Sequence, residues 1–424
     1  MVTQLMQTLA DNVTTIDSEI VQKVRANPDK VFFPNFGSGD NIFTEGISID
    51  RVMFTIPGIN FKVYWYGFLI AVGILLAMIY GFKRMKEVGV DPDRATDGVI
   101  AGFFGAILGA RLYYILFNSD ISITQFFDIR DGGLAIYGGI IGAIVVGGLV
   151  VKIRKVKLTA LLDVVGPCFL IGQAIGRWGN FFNQEAFGSN TDLPWGMLSN
   201  KTMTYIAENC PDLDRYAPVH PCFLYESLWC IAAFVFLHFY LRHRKFDGEV
   251  FLMYAGLYGL GRFFIEGTRT DSLYLMNIKV SQLVAGTCVV ASLVLIIVFR
   301  NITKRNDDYK LYVDTKLSKA QLEEYNTYAE VQKAKKEFKA KIKAAKAAGE
   351  NTAELEKEFE EKFGKNSKKP SDDVKEEKTE DSGYKSILDD DGDASESTEE
   401  KTETGSDDNN EDISEEEKSD EQDN

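Results

Sequence analysis

Residues 158–188 read LTALLDVVGPCFLIGQAIGRWGNFFNQEAFG. The apolar run from Leu158 to Phe182 is long enough to cross a bilayer as a helix, which takes about 20 residues. Its far end carries Arg177, Asn180, Asn183, Gln184 and Glu185 to the edge of the hydrocarbon layer. An unsatisfied polar group is costly at that depth. The stretch therefore predicts a membrane helix that ends against a polar interior. An intramembrane arginine costs at least ~2.5 kcal/mol on insertion scales and usually faces a bundle interior or a wet cavity.

Six further runs are long and apolar: Trp65 to Phe82, Val99 to Phe117, Leu134 to Val151, Leu228 to Leu241, Val250 to Ile265 and Val280 to Phe299. They are too long for the strands of a soluble α/β domain. Only helical bundles and closed barrels span lipid. The predicted fold class is all-α, a polytopic membrane protein of seven transmembrane helices.

The chain-wide averages conceal this. Mean hydropathy is −0.11 over 424 residues and the net charge is −15. Residues 301–424 hold 22 Lys+Arg and 37 Asp+Glu, so the whole net charge lies there and residues 1–300 balance. The acidity says nothing about partners of the apolar part. Residues 1–60 lack a basic start, an apolar stretch and a small-residue cleavage site, so the first spanning helix is expected to direct its own insertion. Cys168, Cys230 and Cys288 lie in apolar runs as core fillers, while Cys210 and Cys222 share a loop in which they could pair.

Basic residues set orientation. Lys83, Arg84, Lys86 and Arg94 follow the first run, and Lys152, Arg154, Lys155 and Lys157 follow the third. Arg242, Arg244 and Lys245 follow the fifth, and Arg300, Lys304 and Arg305 follow the last. The alternate loops are poorer, with Arg130 in one and Lys201 and Arg215 in a longer one. The N-terminus is expected outside and the C-terminus in the cytoplasm. On that topology Tyr66, Arg111, Tyr137, Arg177, Asn180, Asn183, Arg262 and Glu266 share one depth, near the outer headgroups.

Arg111, Arg177 and Arg262 in one layer would make a cationic pocket, and the guanidinium fork matches phosphate. Arg262, Glu266 and Arg269 stand at i, i+4 and i+7, and Arg177 and Asn180 at i and i+3, so each set shares a helix face. Gly102, Gly105 and Gly109, with Gly138, Gly139 and Gly142, allow close helix approach. Plainer roles fit the same residues: Arg177–Glu185 and Arg262–Glu266 as structural pairs, Arg111 snorkelling outward, Trp65 and Tyr66 in an interface belt, and His220 on the surface.

The segment Gly176 to Gly188 resembles the signature of the prolipoprotein diacylglyceryl transferase family, G-R-x-G-N-F-x-N-x-E-x-x-G. Gly176, Arg177, Gly179, Asn180, Phe181, Asn183, Glu185 and Gly188 all match it. Trp65-Tyr66-Gly67, Gly109-Ala110-Arg111-Leu112, His220-Pro221 with Leu224-Tyr225-Glu226, and Arg262-Phe263 with Glu266 and Arg269 are similar to further family pieces, in order. The resemblance covers about residues 50–300. It implies transfer of the diacylglyceryl group of phosphatidylglycerol to the lipobox cysteine of a prolipoprotein signal peptide, with release of glycerol 1-phosphate. It also implies a multi-pass protein of the bacterial cytoplasmic membrane, with no metal, dissociable cofactor or nucleic acid.

On that resemblance Arg177 and Arg262 are expected to hold the phosphate and stabilise the departing charge. Asn180, Asn183, Tyr66, Arg111, Arg269 and Gly188 join them in binding phosphatidylglycerol, and Glu185 and Glu266 are expected to orient the arginines. Many members have His-Gly-Gly where this chain has Tyr137-Gly138-Gly139. A phenol titrates near 10 against about 6.5 for imidazole, so Tyr137 is a poor base unless shifted and is otherwise a hydrogen-bond donor and positioning group, with His220 and a cation-stabilised thiolate as the alternatives. The expected divisions are an extracytoplasmic arm at 1–60, the seven-helix catalytic domain at 61–300, a charged cytoplasmic helix at 301–364, and an acidic tail at 365–424 whose composition predicts disorder. A lipid transporter would use a similar cavity, but would need polar residues continuing to the inner leaflet.

Overall fold

The computed structural model describes residues 19–363, apart from 38–40, 59, 119–125, 127–132, 271, 273, 276–277 and 349. Arg130 and the tail at 365–424 lie outside the described residues. The bundle is built from α1 (Trp65–Met85), α2 (Pro92–Phe117), α3 (Ile136–Ile153), α4 (Leu158–Asn183), α6 (Cys222–Tyr240), α7 (Glu249–Thr268) and α8 (Val280–Arg305). The short α5 (Asn200–Asn209) lies outside it, and α9 (Lys316–Ala347) and α10 (Ala353–Phe363) follow it.

Among the described residues, six helices are long and apolar enough to cross a membrane: α1, α2, α3, α4, α6 and α8. The protein is mainly helical and polytopic, and it turns large apolar side chains outward along α1, α2, α3 and α8, such as Ile74, Phe104, Ile144 and Val290. Helix α7 is not among the six. It contains Glu249, Arg262 and Glu266, and it packs against α4, α6 and α8. Helix α6 begins at Cys222, well before the apolar run that starts at Leu228. The run underestimates the helix because Glu226 and Ser227 find polar partners inside the bundle.

Helix α4 is central, packing on α1, α6 and α7. Helices α2 and α3 form a separate pair joined by glycine. A Cβ on Gly105 would overlap Gly142 O and Val146, and one on Gly142 would overlap Gly105 O. Only hydrogen fits, so the two backbones touch, as small-residue packing in lipid allows. Within this stripe α3 widens to a π-helical turn over Ala143–Gly147, with Ala143 O and Gly147 against Gly102.

One end of the bundle is capped by short strands. β1 (Lys30–Phe32) pairs antiparallel with both β2 (Ile47–Ser48) and β5 (Leu198–Ser199). β3 (Val52–Ile56) pairs with β4 (Phe61–Tyr64), which leads directly into α1. The cap has its own core of Val31, Ile49, Phe181, Phe187, Met197, Ile206, Val219 and Phe223. The hairpin of β6 (Tyr274–Leu275) and β7 (Ile278–Lys279) joins α7 to α8.

The opposite end carries the basic loops and a second core around Met85, Val88, Val156, Leu161, Leu237 and Tyr312. Tyr312 lies beyond the last apolar run, yet it is 1% exposed. Its N–H donates to Asp247 Oδ2 at 2.8 Å and its hydroxyl donates to Gln321 Oε1 at 2.9 Å. Ser318 Oγ donates to Gly89 O at 2.6 Å, Gln321 Nε2 to Lys155 O at 3.2 Å, and Arg94 pairs with Glu324 at 3.1 Å. The start of α9 is therefore clamped onto three loops, between α1 and α2, α3 and α4, and α6 and α7. The sequence suggested a charged, solvated helix here, and its first turns do face solvent at Lys316, Lys319 and Glu323, but Ser318 and Gln321 are buried because each meets a loop carbonyl. Further on, Phe338 of α9 meets Phe359 and Phe363 of α10.

Tyr312→Ala is expected to lower stability by about 3 kcal/mol or more, as for other large buried aromatics. The check is the apparent Tm of the purified full chain in detergent, compared with the exposed control Lys336→Ala.

Candidate active site

The end of α4, the start of α6 and the end of α7 meet below the cap. Glu226 on α6 is 3% exposed and lies between two arginines. Its Oε2 is 2.8 Å from Arg177 Nε on α4, and its Oε1 is 2.8 Å from Arg262 Nη1 on α7. Arg262 Nη2 also meets Glu266 Oε2 at 2.6 Å, one turn along the same helix. Arg269 Nε approaches that Glu266 oxygen at 3.9 Å. Arg177 Nη2 reaches the hydroxyl of Tyr258 at 3.5 Å.

The resulting chain, Arg177–Glu226–Arg262–Glu266–Arg269, counts three guanidinium groups against two carboxylates. It keeps a formal excess of one positive charge within a largely buried cluster. Such an array is preorganised for an anion, because its donors are already fixed and partly shielded from water. Lys279 Nζ donates to the carbonyls of Glu266 and Arg269, each at 2.8 Å, closing the C-terminus of α7 with a cation as the helix dipole favours.

Glu185 takes different partners from those expected. It accepts from Asn180 Nδ2 at 3.0 Å and Asn183 Nδ2 at 3.2 Å, while Arg177 pairs with Glu226. The backbone gives the reason. Gln184 ends α4 with φ +52°, and Ala186 follows with φ +57°. The chain folds back so that Glu185 N–H donates to Asn180 O at 3.0 Å. This brings the carboxylate over the two asparagines.

Gly188 ties the three motifs together. Its N–H donates to His220 O at 2.9 Å, and it pairs antiparallel with Arg269. A Cβ there would lie 2.9 Å from both His220 Cβ and Thr268 O. Only glycine fits between the loop before α6 and the end of α7. His220 Nδ1 is 3.0 Å from the hydroxyl of Tyr225, which also accepts from Trp195 Nε1 at 2.8 Å. Burial pushes the His220 imidazole below its usual range. Cys222 Sγ lies 3.4 Å from Thr268 Oγ1, and no disulfide joins Cys222 to Cys210.

The structure thus brings Arg177, Arg262, Glu266 and Arg269 into one ion-pair chain, and gathers Asn180, Asn183 and Glu185 just beyond Arg177. Tyr66 lays its ring on Gly179, leaving no room there for a Cβ. Arg111 is buried on the α2–α3 pair, where it donates to Phe126 O at 3.1 Å and Gly133 O at 3.0 Å. The α2–α3 loop supplies those acceptors. Tyr137 opens α3 and is 63% exposed. Glu226 received no role from the sequence, although it stands in the quoted Leu224-Tyr225-Glu226 piece. A lone acidic residue on an apolar helix, in a chain whose sequence sets three arginines in one membrane layer, was the signal available.

The sequence profile described as prolipoprotein diacylglyceryl transferase matches residues 51–298. The chain belongs to this family. It is 39% identical over 264 residues to the phosphatidylglycerol–prolipoprotein diacylglyceryl transferase of Finegoldia magna, covering 61% of this chain and 100% of that one. It is 41% identical over 255 residues to the enzyme of the same name from Clostridium novyi, covering 59% and 95%. Identity to the Thermotoga maritima enzyme of that name is 40% over 253 residues, covering 58% and 84%.

Removing Glu226 leaves two facing guanidinium groups without their shared anion. Glu226→Ala is expected to cost about 3–5 kcal/mol of stability, as when one partner of a buried pair is removed. Glu226→Gln, which keeps shape and hydrogen bonding, is expected to cost less. Unfolding of both variants in detergent checks the order.

Proposed function

We propose that this chain transfers the diacylglyceryl group of phosphatidylglycerol to the lipobox cysteine of prolipoproteins, the first step of lipoprotein maturation. The supporting observation is the Arg177–Glu226–Arg262–Glu266–Arg269 chain in a protein whose relatives carry that activity in their names. A substrate thiolate attacks the glyceryl carbon that bears the phosphoester. The new S–C bond forms as the C–O bond breaks, and glycerol 1-phosphate leaves with the bonding electron pair. The thiol proton passes to a base.

Negative charge grows on the departing phosphate, so its stabilisation is the main catalytic demand. Arg177 and Arg262 hold the phosphate through guanidinium edges not taken by Glu226. Glu226 and Glu266 keep those edges aimed. Asn180, Asn183, Glu185 and Tyr66 bind the polar headgroup, with Arg269 and Gly188 shaping its far side and Arg111 in a supporting position on the α2–α3 loop. His220 is the base, since burial keeps it neutral and able to accept a proton. Tyr137 is a positioning group at the start of α3.

Helix α7 is the seventh span, held among α4, α6 and α8. The basic loops lie in the cytoplasm, and the cap and site face outward in the bacterial cytoplasmic membrane. The lysine and arginine loops at one end support this orientation.

With phosphatidylglycerol and a lipobox peptide, Arg177→Ala is expected to cut transfer by about 10²–10³-fold, as when a charge-stabilising donor is lost. Peptide mass and glycerol phosphate release measure it, and unchanged turnover would sink the assignment. As pH falls through the lowered His220 value, the imidazole takes up a proton and the rate declines on the acid side. That limb is expected below about pH 6.5 and should be absent from the residual rate of His220→Gln. Tyr137→Phe should keep a near-normal rate; a loss comparable to that of His220→Gln would move the proton to the phenol.

A further inference from the structure

The second half of α9 is a lysine-rich helix that the transfer reaction does not use. From Lys333 to Ala347 it holds seven lysines against the single acid Glu337. It lies beyond the family match, which ends at residue 298.

Where these lysines point follows from how α9 is held. Its first turns rest on the loops through Ser318, Gln321 and Tyr325. Ser318 Oγ donates to Gly89 O at 2.6 Å, Gln321 Nε2 donates to Lys155 O at 3.2 Å, and the Tyr325 ring lies 4.4 Å from Lys86 Nζ. Gly89 and Lys155 sit in the connections between helices long and apolar enough to cross a membrane, so they mark a bilayer surface. A helix that meets them through successive turns runs along that surface, with this side toward it.

The same side continues down the helix. An α-helix comes back into register after eighteen residues, or five turns. Lys336, Lys339 and Lys343 stand eighteen residues beyond Ser318, Gln321 and Tyr325, in that order. Helix α9 runs unbroken from Lys316 to Ala347, with no proline or glycine to kink it. The three lysines therefore keep to the loop-facing side, about 27 Å further along, and all three are exposed.

Past Asn326, which accepts from Lys86 Nζ at 3.1 Å, the ion-pair and ring contacts of α9 among the described residues are made with α10. The bundle has ended there, and the bilayer surface goes on. Helix α10 packs on another side, through Phe338 against Phe359 and Phe363. Its Glu356 takes Lys346 at 2.6 Å, and Lys339 also reaches over the Phe359 ring at 5.6 Å, yet the three lysines stay open. The acids of this half of α9, Glu330 and Glu337, are turned away from the row by helical spacing.

We propose that Lys336, Lys339 and Lys343 dock the second half of α9 on an anionic lipid surface beside the bundle. A soluble polyanion would meet the same charge, but only a bilayer explains why the row continues the side that faces the membrane-connecting loops. With its start clamped on those loops and its middle on headgroups, α9 braces the bundle against the bilayer. The proposal stands apart from the transferase reading, and its test measures no transfer.

The full chain is reconstituted in phosphatidylcholine vesicles with increasing phosphatidylserine, which supplies negative charge. A nitroxide on Ala340→Cys, beside the row, reports proximity to a headgroup gadolinium chelate held at one low level throughout. The unsubstituted chain, whose own thiols are buried or half-buried, is the blank. Relaxation of the label should rise with phosphatidylserine and fall back in high salt. Each lysine changed to glutamine should weaken docking about fivefold, and Lys336→Gln, Lys339→Gln and Lys343→Gln together about a hundredfold. Lys333→Gln with Lys341→Gln, off the row, should weaken it far less. Relaxation independent of phosphatidylserine would overturn the proposal, and so would an equal loss per lysine in the off-row variant. A label that ignores phosphatidylserine but becomes shielded when polyglutamate or polyuridylate is added would also overturn it, in favour of a soluble polyanion.

Discussion

Two guanidinium groups on different helices repel each other, and in a membrane bundle little water is at hand to screen them. Glu226 resolves this by standing between Arg177 and Arg262 with one oxygen for each. Much of the surrounding architecture follows from that carboxylate. It fixes the spacing of α4, α6 and α7. It requires α6 and α7 to approach closely, and they do so where Gly261 leaves room for the Trp229 indole. It also leaves Arg262 free to take Glu266 and pass the alternation on to Arg269. The charges do not cancel within this chain, and the remaining positive charge has a fixed address.

Helix α7 carries half of this arrangement while standing outside the six long apolar helices, and it has polar anchors at both ends. At its start, buried Asp163 of α4 accepts from the N–H groups of Gly248, Val250 and Phe251 at 2.9–3.1 Å. These are donors that a helix N-terminus leaves unsatisfied. Arg244 lies 3.6 Å from Asp163 and keeps that acid paired. At the other end Lys279 takes the last carbonyls. Helix α4 thus positions α7 twice, through Asp163 at one end and through Arg177, by way of Glu226, at the other.

The helical membrane class was legible because apolar runs near 20 residues admit few other structures. The gathering of polar residues at one end of the bundle was legible too, since motif positions put them at matching ends of their helices. The limits of α6 were not, because Glu226 and Ser227 look like a break in an apolar run until their partners are seen. Pairing was the least legible part. Glu185 stands eight positions after Arg177 in a short polar segment, so it seemed the natural counter-ion. The left-handed turn at Gln184 and Ala186 reverses the chain and takes it to the asparagines instead. No helical periodicity encodes that reversal, and no local pattern says that the counter-ion of Arg177 comes from α6. Arg111 was grouped with the other arginines by depth alone, but depth does not fix the direction of a side chain within the membrane plane.

Residues beyond 298 lie outside the family match, yet Tyr312 is as buried as any core residue. The two ends of α4 show how such an addition can coexist with the site. Asp163 and Arg177 are fourteen positions apart, which is about 21 Å along a helix. The clamp formed by Tyr312, Ser318 and Gln321 acts at the Asp163 end, through Asp247 and the loops beside it. A segment there can stiffen the base of the bundle without touching the arginine chain. It influences the site only through α4 and α7, whose spacing Asp163 sets at one end and Glu226 reads at the other. The extension is therefore best understood as part of the scaffold that holds α7 in place.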